Sequence, residues 1–158
     1  MTAPPPGRTA FAAALALLTG RALTVGELKE RLRRRGYDAD AIDETSARLL
    51  EYGYLDDRRT AVTWAESAAR IRGLGPRRLR EGLAKRRLPR DLVEETVAGL
   101  FASGDEQQLA LSVLGKWVRA KGPAVDTASR HAAYAHLRRR GFSSAAARAA
   151  LFNRPEIE

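Results

Sequence analysis

The sequence predicts an all-α protein: an elongated array of three tandem three-helix repeats, about nine helices in all. Three observations carry this expectation. Ala, Leu, Arg and Glu dominate the 158 residues, whereas Phe, Tyr and Trp together reach only 6%, a composition suited to helices rather than strands. Pro and Gly stand between segments of helical periodicity, not inside alternating ones. One pattern also occurs three times: Leu28-Lys-Glu-Arg-Leu32-Arg-Arg-Arg-Gly36-Tyr37, Leu79-Arg-Glu-Gly-Leu83-Ala-Lys-Arg-Arg87-Leu88 and Ala133-Tyr-Ala-His-Leu137-Arg-Arg-Arg-Gly141-Phe142. Its offsets of 51 and then 54 residues mark a repeat architecture.

The elements follow in order. Residues 1–8, with Pro4-Pro5-Pro6-Gly7, read as a disordered arm. A first helix is expected over 9–19, with Phe11, Leu15 and Leu18 on one face and Gly20 as its stop. Thr24-Val25-Gly26-Glu27 fits a capping box, so the second helix spans about 25–35, with Leu28 and Leu32 one turn apart. Asp38 caps a third helix over 39–52 that buries Ile42, Leu49 and, as a further candidate, Leu50. Asp56 or Asp57 starts a fourth over 57–72, with Ala61, Trp64 or Ala65, Ala68 and Ile71 inward. Pro76 suits the first turn of a fifth over 76–86, and a sixth follows over 90–102. The seventh, over 106–121, places Leu109, Val113 and Trp117 on one side; the eighth covers 126–140; Ser143 caps the ninth over 144–152. The repeats are expected at 9–55, 56–103 and 104–153, with a tail at 154–158. In each, the Leu pair packs the second helix on the third, and Tyr37, Leu88 or Phe142 plugs the turn.

Composition narrows the function. The chain has no cysteine and two histidines, which excludes a disulfide scaffold, thiol catalysis and Cys-ligated metal. No Walker loop and no Ser/His/Asp order appears, so no catalytic, cofactor-binding or metal-ligating residue is assigned and an enzyme is not expected. His131 and His136 miss the i, i+4 spacing of a helical metal pair, and Asp56-Asp57 reads as a helix cap. No apolar run approaches the roughly 18 residues needed to span a bilayer, and the cytoplasm is the expected compartment. The formal charge is +9, which favours an acidic partner. That charge is polarised. Residues 70–90 hold nine basic residues against Glu81 alone, whereas residues 38–66 hold eight acids and three arginines. Arg is also expected to be frequent in a GC-rich genome, so its abundance alone does not mark phosphate recognition.

In this order and spacing, Leu28–Tyr37 (LKERLRRRGY), Gly53–Asp57 (GYLDD), Gly73–Leu83 (GLGPRRLREGL) and Leu137–Phe142 (LRRRGF) resemble the RecX family of bacterial recombination regulators. The resemblance covers about residues 10–152. Two departures touch loop geometry: Thr60 replaces a common aromatic after Asp56-Asp57, and Arg87-Leu88-Pro89 lacks the usual Gly and acidic cap. The resemblance implies binding to the RecA recombinase, alone or as its filament on single-stranded DNA. It also implies inhibition of RecA's ATPase, recombinase and coprotease activities from the filament groove, with a place in DNA recombination, repair and the SOS response. Some members bind DNA directly, so single- or double-stranded DNA without sequence specificity is a second expected partner. No membrane partner is expected, and the chain is expected to be a monomer.

Candidate RecA- or DNA-binding residues are Arg77, Arg78, Arg80, Lys85, Arg86 and Arg87, then the repeated triplets Arg33, Arg34, Arg35 and Arg138, Arg139, Arg140. Cations at a helix end are favoured by the helix dipole; those at a helix start are not. Arg77, Arg78 and Arg80 lie at a start, so they require another reason, and a ligand is the expected one. Trp64 and Trp117 lie on apolar stripes, where core packing is preferred to base stacking. Two alternatives stand beside the RecA reading: a stand-alone helical DNA-binding protein, and a scaffold for an acidic protein. Sequence-specific DNA reading ranks low, because two third helices begin with acidic residues, at Asp38-Ala-Asp and Pro89-Arg-Asp.

Overall fold

The computed structural model describes residues 9–102, 104–123 and 126–152. The expected arm at 1–8 and tail at 154–158 lie outside the described residues. Those described form nine α-helices and no strand: α1 (Ala10–Leu18), α2 (Val25–Arg34), α3 (Ala39–Glu51), α4 (Asp57–Arg72), α5 (Pro76–Lys85), α6 (Arg90–Leu100), α7 (Asp105–Lys121), α8 (Thr127–Arg139) and α9 (Ser144–Phe152).

The boundaries follow from local chemistry. Thr9 caps α1 by accepting from the Ala12 N–H. Thr24 and Glu27 form the full capping box of α2, each side chain taking the other's backbone N–H at 3.0 Å. Asp38 accepts from Ala41 N, and Asp56 rather than Asp57 caps α4, accepting from Arg59 N. Such caps occupy N–H groups that have no partner inside the helix. Pro76 is the first residue of α5, where its missing N–H costs nothing.

Every strongly packed helix pair lies within one trio: α1–α3, α4–α6 or α7–α9. Each trio has its own core. Leu23, Leu28, Leu32, Ile42, Leu49 and Leu55 fill unit 1. In unit 2, Leu79, Leu83, Leu88, Val93 and Val97 pack against the alanines of α4. Unit 3 closes on Val113, Leu114, Leu137 and Phe142, against Ala146, Ala147 and Ala150 of α9. Leu109 touches the cores of both units 2 and 3. The molecule is a row of three small cores.

Several inward residues differ from expectation. Ile71 is 68% exposed and Leu50 is 47% exposed. The packed face of α4 is made of small residues, Ala61, Ala65, Ala68 and Ala69, and the cores fill without Ile71 or Leu50. In α7 the buried stripe is Ala110, Val113, Leu114 and Val118, with Leu109 and Trp117 at its margin. Trp64 and Trp117 pack against their cores as half-buried residues. The Trp64 ring lies against Gly82, where an added Cβ would come within 2.1 Å of it.

The turn before each plug has one geometry. Gly36, Arg87 and Gly141 hold equivalent repeat positions, and their φ angles are +82, +61 and +94 degrees. Arg87 is the only non-glycine residue with positive φ among the described residues, a conformation that costs roughly 1–2 kcal/mol for a residue with a Cβ. The repeat imposes this bend even where the sequence does not supply glycine.

Leu83 is wholly buried. Leu83→Ala should cost about 2–5 kcal/mol, because a three-helix core collapses poorly onto a cavity. Thermal unfolding checks this, and an unchanged Tm would show that Leu83 bears no core load.

Candidate partner-binding surface

The arginine triplets close the second helix of each unit, so the ends of those helices decide what the arginines can reach. At the first joint, the start of α2 meets the end of α5. The Thr24 hydroxyl donates to the Arg86 carbonyl oxygen at 2.5 Å. The Arg86 guanidinium returns the contact, donating to the Ala22 carbonyl at 3.3 Å and the Glu27 carboxylate at 3.1 Å. This ion pair is largely withdrawn from water, with side-chain exposures of 19% and 14%. Arg87 pairs with Glu30 at 3.6 Å. Only glycine fits at position 26, because an added Cβ would lie 2.5 Å from the Arg87 Cβ and 2.8 Å from its carbonyl oxygen. Asp57, from the start of α4, accepts from the Val25 N–H at 2.8 Å. Burial pushes its carboxyl above the usual range, a shift partly offset by that hydrogen bond.

At the second joint, the start of α5 meets the end of α8 at equivalent repeat positions. Gly75 N donates to the Arg140 carbonyl at 2.8 Å, and Arg77 N to the Gly141 carbonyl at 3.1 Å. The Arg77 and Arg78 guanidiniums donate to the carbonyls of Arg138 and Arg139, at 3.1 and 3.0 Å, and both pair with Glu81. The Arg140 guanidinium crosses in the other direction to the Arg72 carbonyl, at the end of α4. An added Cβ at Gly75 would meet the Phe142 nitrogen at 2.6 Å, and one at Gly141 would meet the Arg78 nitrogen at 2.6 Å.

Helices α8, α5 and α2 therefore stack head to tail. Free carbonyls at one helix end receive donors from the start of the next, which satisfies orphan groups.

This arrangement assigns structural partners to most of the expected binding residues. Arg77 and Arg78 are joint residues, and Arg80 pairs with Glu94 of α6 at 2.8 Å. The reason sought for cations at a helix start is thus found within the fold. Arg33 and Arg34 share Glu30, whose carboxyl is held below its ordinary value, chiefly by the Arg34 hydrogen bond. Arg86 and Arg87 lie at the first joint. Arg138 and Arg140 lie at the second, where Arg138 also donates to the Phe142 carbonyl at 2.5 Å. Arg35, Lys85 and Arg139 make no side-chain hydrogen bond or ion pair with the described residues. The triplets do not converge on one spot: each closes a helix of about ten residues, so neighbouring triplets lie about 15 Å apart.

A second basic feature escaped the repeat-based reading. Between the end of α4 and the α7–α8 side of unit 3 lies an open cleft of about 450 Å³, lined by Ile71, Arg72, Lys116, Trp117, Lys121, His136, Arg139 and Arg140 among others, with no acidic residue in its wall. The Trp117 and His136 rings lie 6.3 Å apart at 40 degrees. Burial, and then the positive charges of Arg140 and Arg139, hold His136 below its ordinary pKa. The sequence did carry a signal, in the alternation of bases and an aromatic at Lys116-Trp117-Val118-Arg119-Ala120-Lys121. Among the described residues, no group of three or more His, Cys, Asp or Glu side chains is placed to hold a metal ion, and no helix is long and apolar enough to cross a membrane.

A row of three-helix units, joined at helix ends and rich in basic residues, defines a tandem helical-repeat protein. The models of the first and second three-helix domains of RecX match residues 10–49 and 56–97. Proteins named Regulatory protein RecX are similar along most of the chain. The one from Deinococcus radiodurans is 37% identical over 134 residues, covering 84% of this chain and 61% of the relative's length. The one from Chlorobaculum tepidum is 33% identical, covering 82% and 78%, and the one from Mycobacterium marinum is 33% identical, covering 87% and 80%. The crystal structure of RecX from Lactobacillus salivarius superposes with a TM-score of 0.80 at 17% identity, covering 90% of this chain and 92% of that one. The chain belongs to the RecX family.

Two expectations follow from the surface. Arg77→Ala with Arg78→Ala should lower thermal stability, because two guanidinium-to-carbonyl bonds at the second joint are lost, each worth about 1 kcal/mol where water still reaches it. Calorimetry decides this, and a double variant as heat-stable as the parent would show that the joint does not need them. His136 has a depressed pKa, so the unfolded chain binds its proton more readily than the folded one. Its contribution to stability is therefore lost as pH falls through and below the ordinary value of 6.5. His136→Gln should reduce the fall in Tm between pH 7.5 and 5.5.

Proposed function

We propose that this protein is a stoichiometric regulator of RecA: it binds the recombinase, alone or as the filament on single-stranded DNA, and inhibits its ATPase, recombinase and coprotease activities. It acts in the cytoplasm as a monomer and performs no chemistry of its own. The units taken as 9–55, 56–103 and 104–153 each supply one segment of the contact. Family membership supports RecA as partner. The observation that carries the mode of action is the head-to-tail stack of α8, α5 and α2, which turns three small domains into one extended body. Stacked repeats present long surfaces suited to extended partners, and a helical filament groove is such a partner. Charge supports the same reading. Unit 1 balances seven Lys and Arg against seven Asp and Glu, whereas unit 3 carries eight against three among its described residues.

The direct test titrates the protein into RecA hydrolysing ATP on single-stranded DNA. Inhibition that rises with concentration and saturates near a fixed ratio to RecA is expected; unchanged hydrolysis would overturn the proposal and favour a scaffold for another acidic protein. If an extended body is required, Gly75→Val, which drives a side chain into the Gly141–Phe142 backbone, should weaken inhibition at least tenfold while most of the helical circular dichroism remains.

A further inference from the structure

The two joints hold in different ways. At the second, Gly75 N and Arg77 N donate to the Arg140 and Gly141 carbonyls, and the crossing guanidiniums of Arg77, Arg78 and Arg140 also end on backbone carbonyls. These acceptors are neutral, so added salt competes little for them. Leu109 supplies an apolar tie as well, touching the cores of units 2 and 3. At the first joint every contact described above runs through a side chain, and three of them end on a carboxylate: Arg86 on Glu27, Arg87 on Glu30 and the Val25 N–H on Asp57. Closing this joint also carries costs. Burial pushes the Asp57 carboxyl up, and although the Val25 hydrogen bond offsets part of this, the nearby charges of Asp56 and Glu27 add to it. The Arg86 Nε is buried with no acceptor among the described residues, a donor withdrawn from water without return. Opening, by contrast, leaves Glu30 still paired with Arg33 and Arg34. The covalent link is short: Leu55 is anchored in the core of unit 1 and Asp56 caps α4 of unit 2, so any bend falls between adjacent residues.

We infer that the first joint is a hinge held shut by charge: unit 1 is a releasable arm that swings about the Leu55–Asp56 link, while the backbone bonds of the second joint keep units 2 and 3 as one rigid body. At rest the hinge is closed, as the structure shows it. It opens when ions screen Arg86 and Arg87 from Glu27 and Glu30, or compete for them. A hinge of this kind places the whole angular change at a few residues where two elements meet. None of this involves RecA, so the inference stands or falls apart from the functional reading.

The test uses the whole chain, which has no cysteine, with spin-label pairs that report each joint separately. Ala47→Cys with Glu66→Cys spans the first joint and Glu66→Cys with Ala145→Cys spans the second; all three sites are exposed. Raising salt from about 0.05 to about 1 M, where the screening length falls to about 3 Å, should broaden the first distance distribution and leave the second unchanged. Glu27→Gln with Glu30→Gln should at least double the width of the first distribution at low salt. Glutamine still completes the capping box of α2, so the helix is kept and only the charge is lost. Glu81→Gln is the control: it removes the carboxylate shared by Arg77 and Arg78 beside the second joint but no crossing bond, and should change neither distance. Amide exchange divides the joints residue by residue. In the Glu27→Gln, Glu30→Gln variant the Val25 N–H should exchange at least tenfold faster than in the parent, with Gly75 and Arg77 unaffected. Equal broadening of both distributions by salt would overturn the inference. So would a double variant that keeps the parent's first distance and Val25 exchange. Should that variant lose its helical circular dichroism, the salt response of the parent decides alone.

Discussion

The structure depends on one contact made twice: the start of one helix set against the end of another. Units of about fifty residues bury small cores, and no shared core of any size binds them together. What aligns them is the donation of N–H, hydroxyl and guanidinium groups from one unit to the carbonyls that close a helix in the next. The contact requires backbones to approach closely, which is why Gly26, Gly75 and Gly141 stand where even a methyl group would collide with a neighbouring chain segment. It also requires the bend before each plug, which is why Arg87 accepts a left-handed conformation that its side chain disfavours.

That constraint changes what the arginines mean. A basic triplet at a helix end looks like a ligand surface when one unit is read alone. At the ends of α5 and α8 it is where the next unit attaches, and Arg86, Arg87 and Arg140 reach across to carbonyls and carboxylates of the neighbour, whereas Arg33 and Arg34 pair with Glu30 of their own helix. Arg86 and Arg140 hold equivalent repeat positions and do equivalent work: each extends to a carbonyl just before the incoming helix, at Ala22 and Arg72. Charge that remains uncommitted collects elsewhere, in unit 3 and at the end of α4.

The helices, their caps and the three-fold repeat were legible in the sequence because they are local. Thr24 and Glu27 lie within one turn, and the Leu28–Leu32 and Leu79–Leu83 pairs show helical spacing. The joints were not legible, because they pair residues about sixty positions apart and use backbone carbonyls, which carry no residue identity. Arg77 and Arg78 stand out in the sequence as cations at a helix start, but the carbonyls of Arg138 and Arg139 that they reach cannot be read from a one-dimensional pattern. Ile71 was misplaced for a related reason: helical periodicity assigns it to the apolar stripe of α4, while the alanines around it let α4 pack without it. The cleft at Trp117 draws residues from three helices in two units, and only its Lys116–Lys121 part left a trace in the sequence.

The central claim is that two helix-end joints hold the three units as one body. Because the chain has no cysteine, spin labels can be placed at will, and Ala47→Cys with Ala145→Cys puts one on an exposed site in each terminal unit. The distance distribution between them, measured by pulsed electron spin resonance, should be a single narrow peak that broadens when Gly75→Val disrupts the second joint. A distribution already broad in the parent, or one untouched by Gly75→Val, would contradict the account.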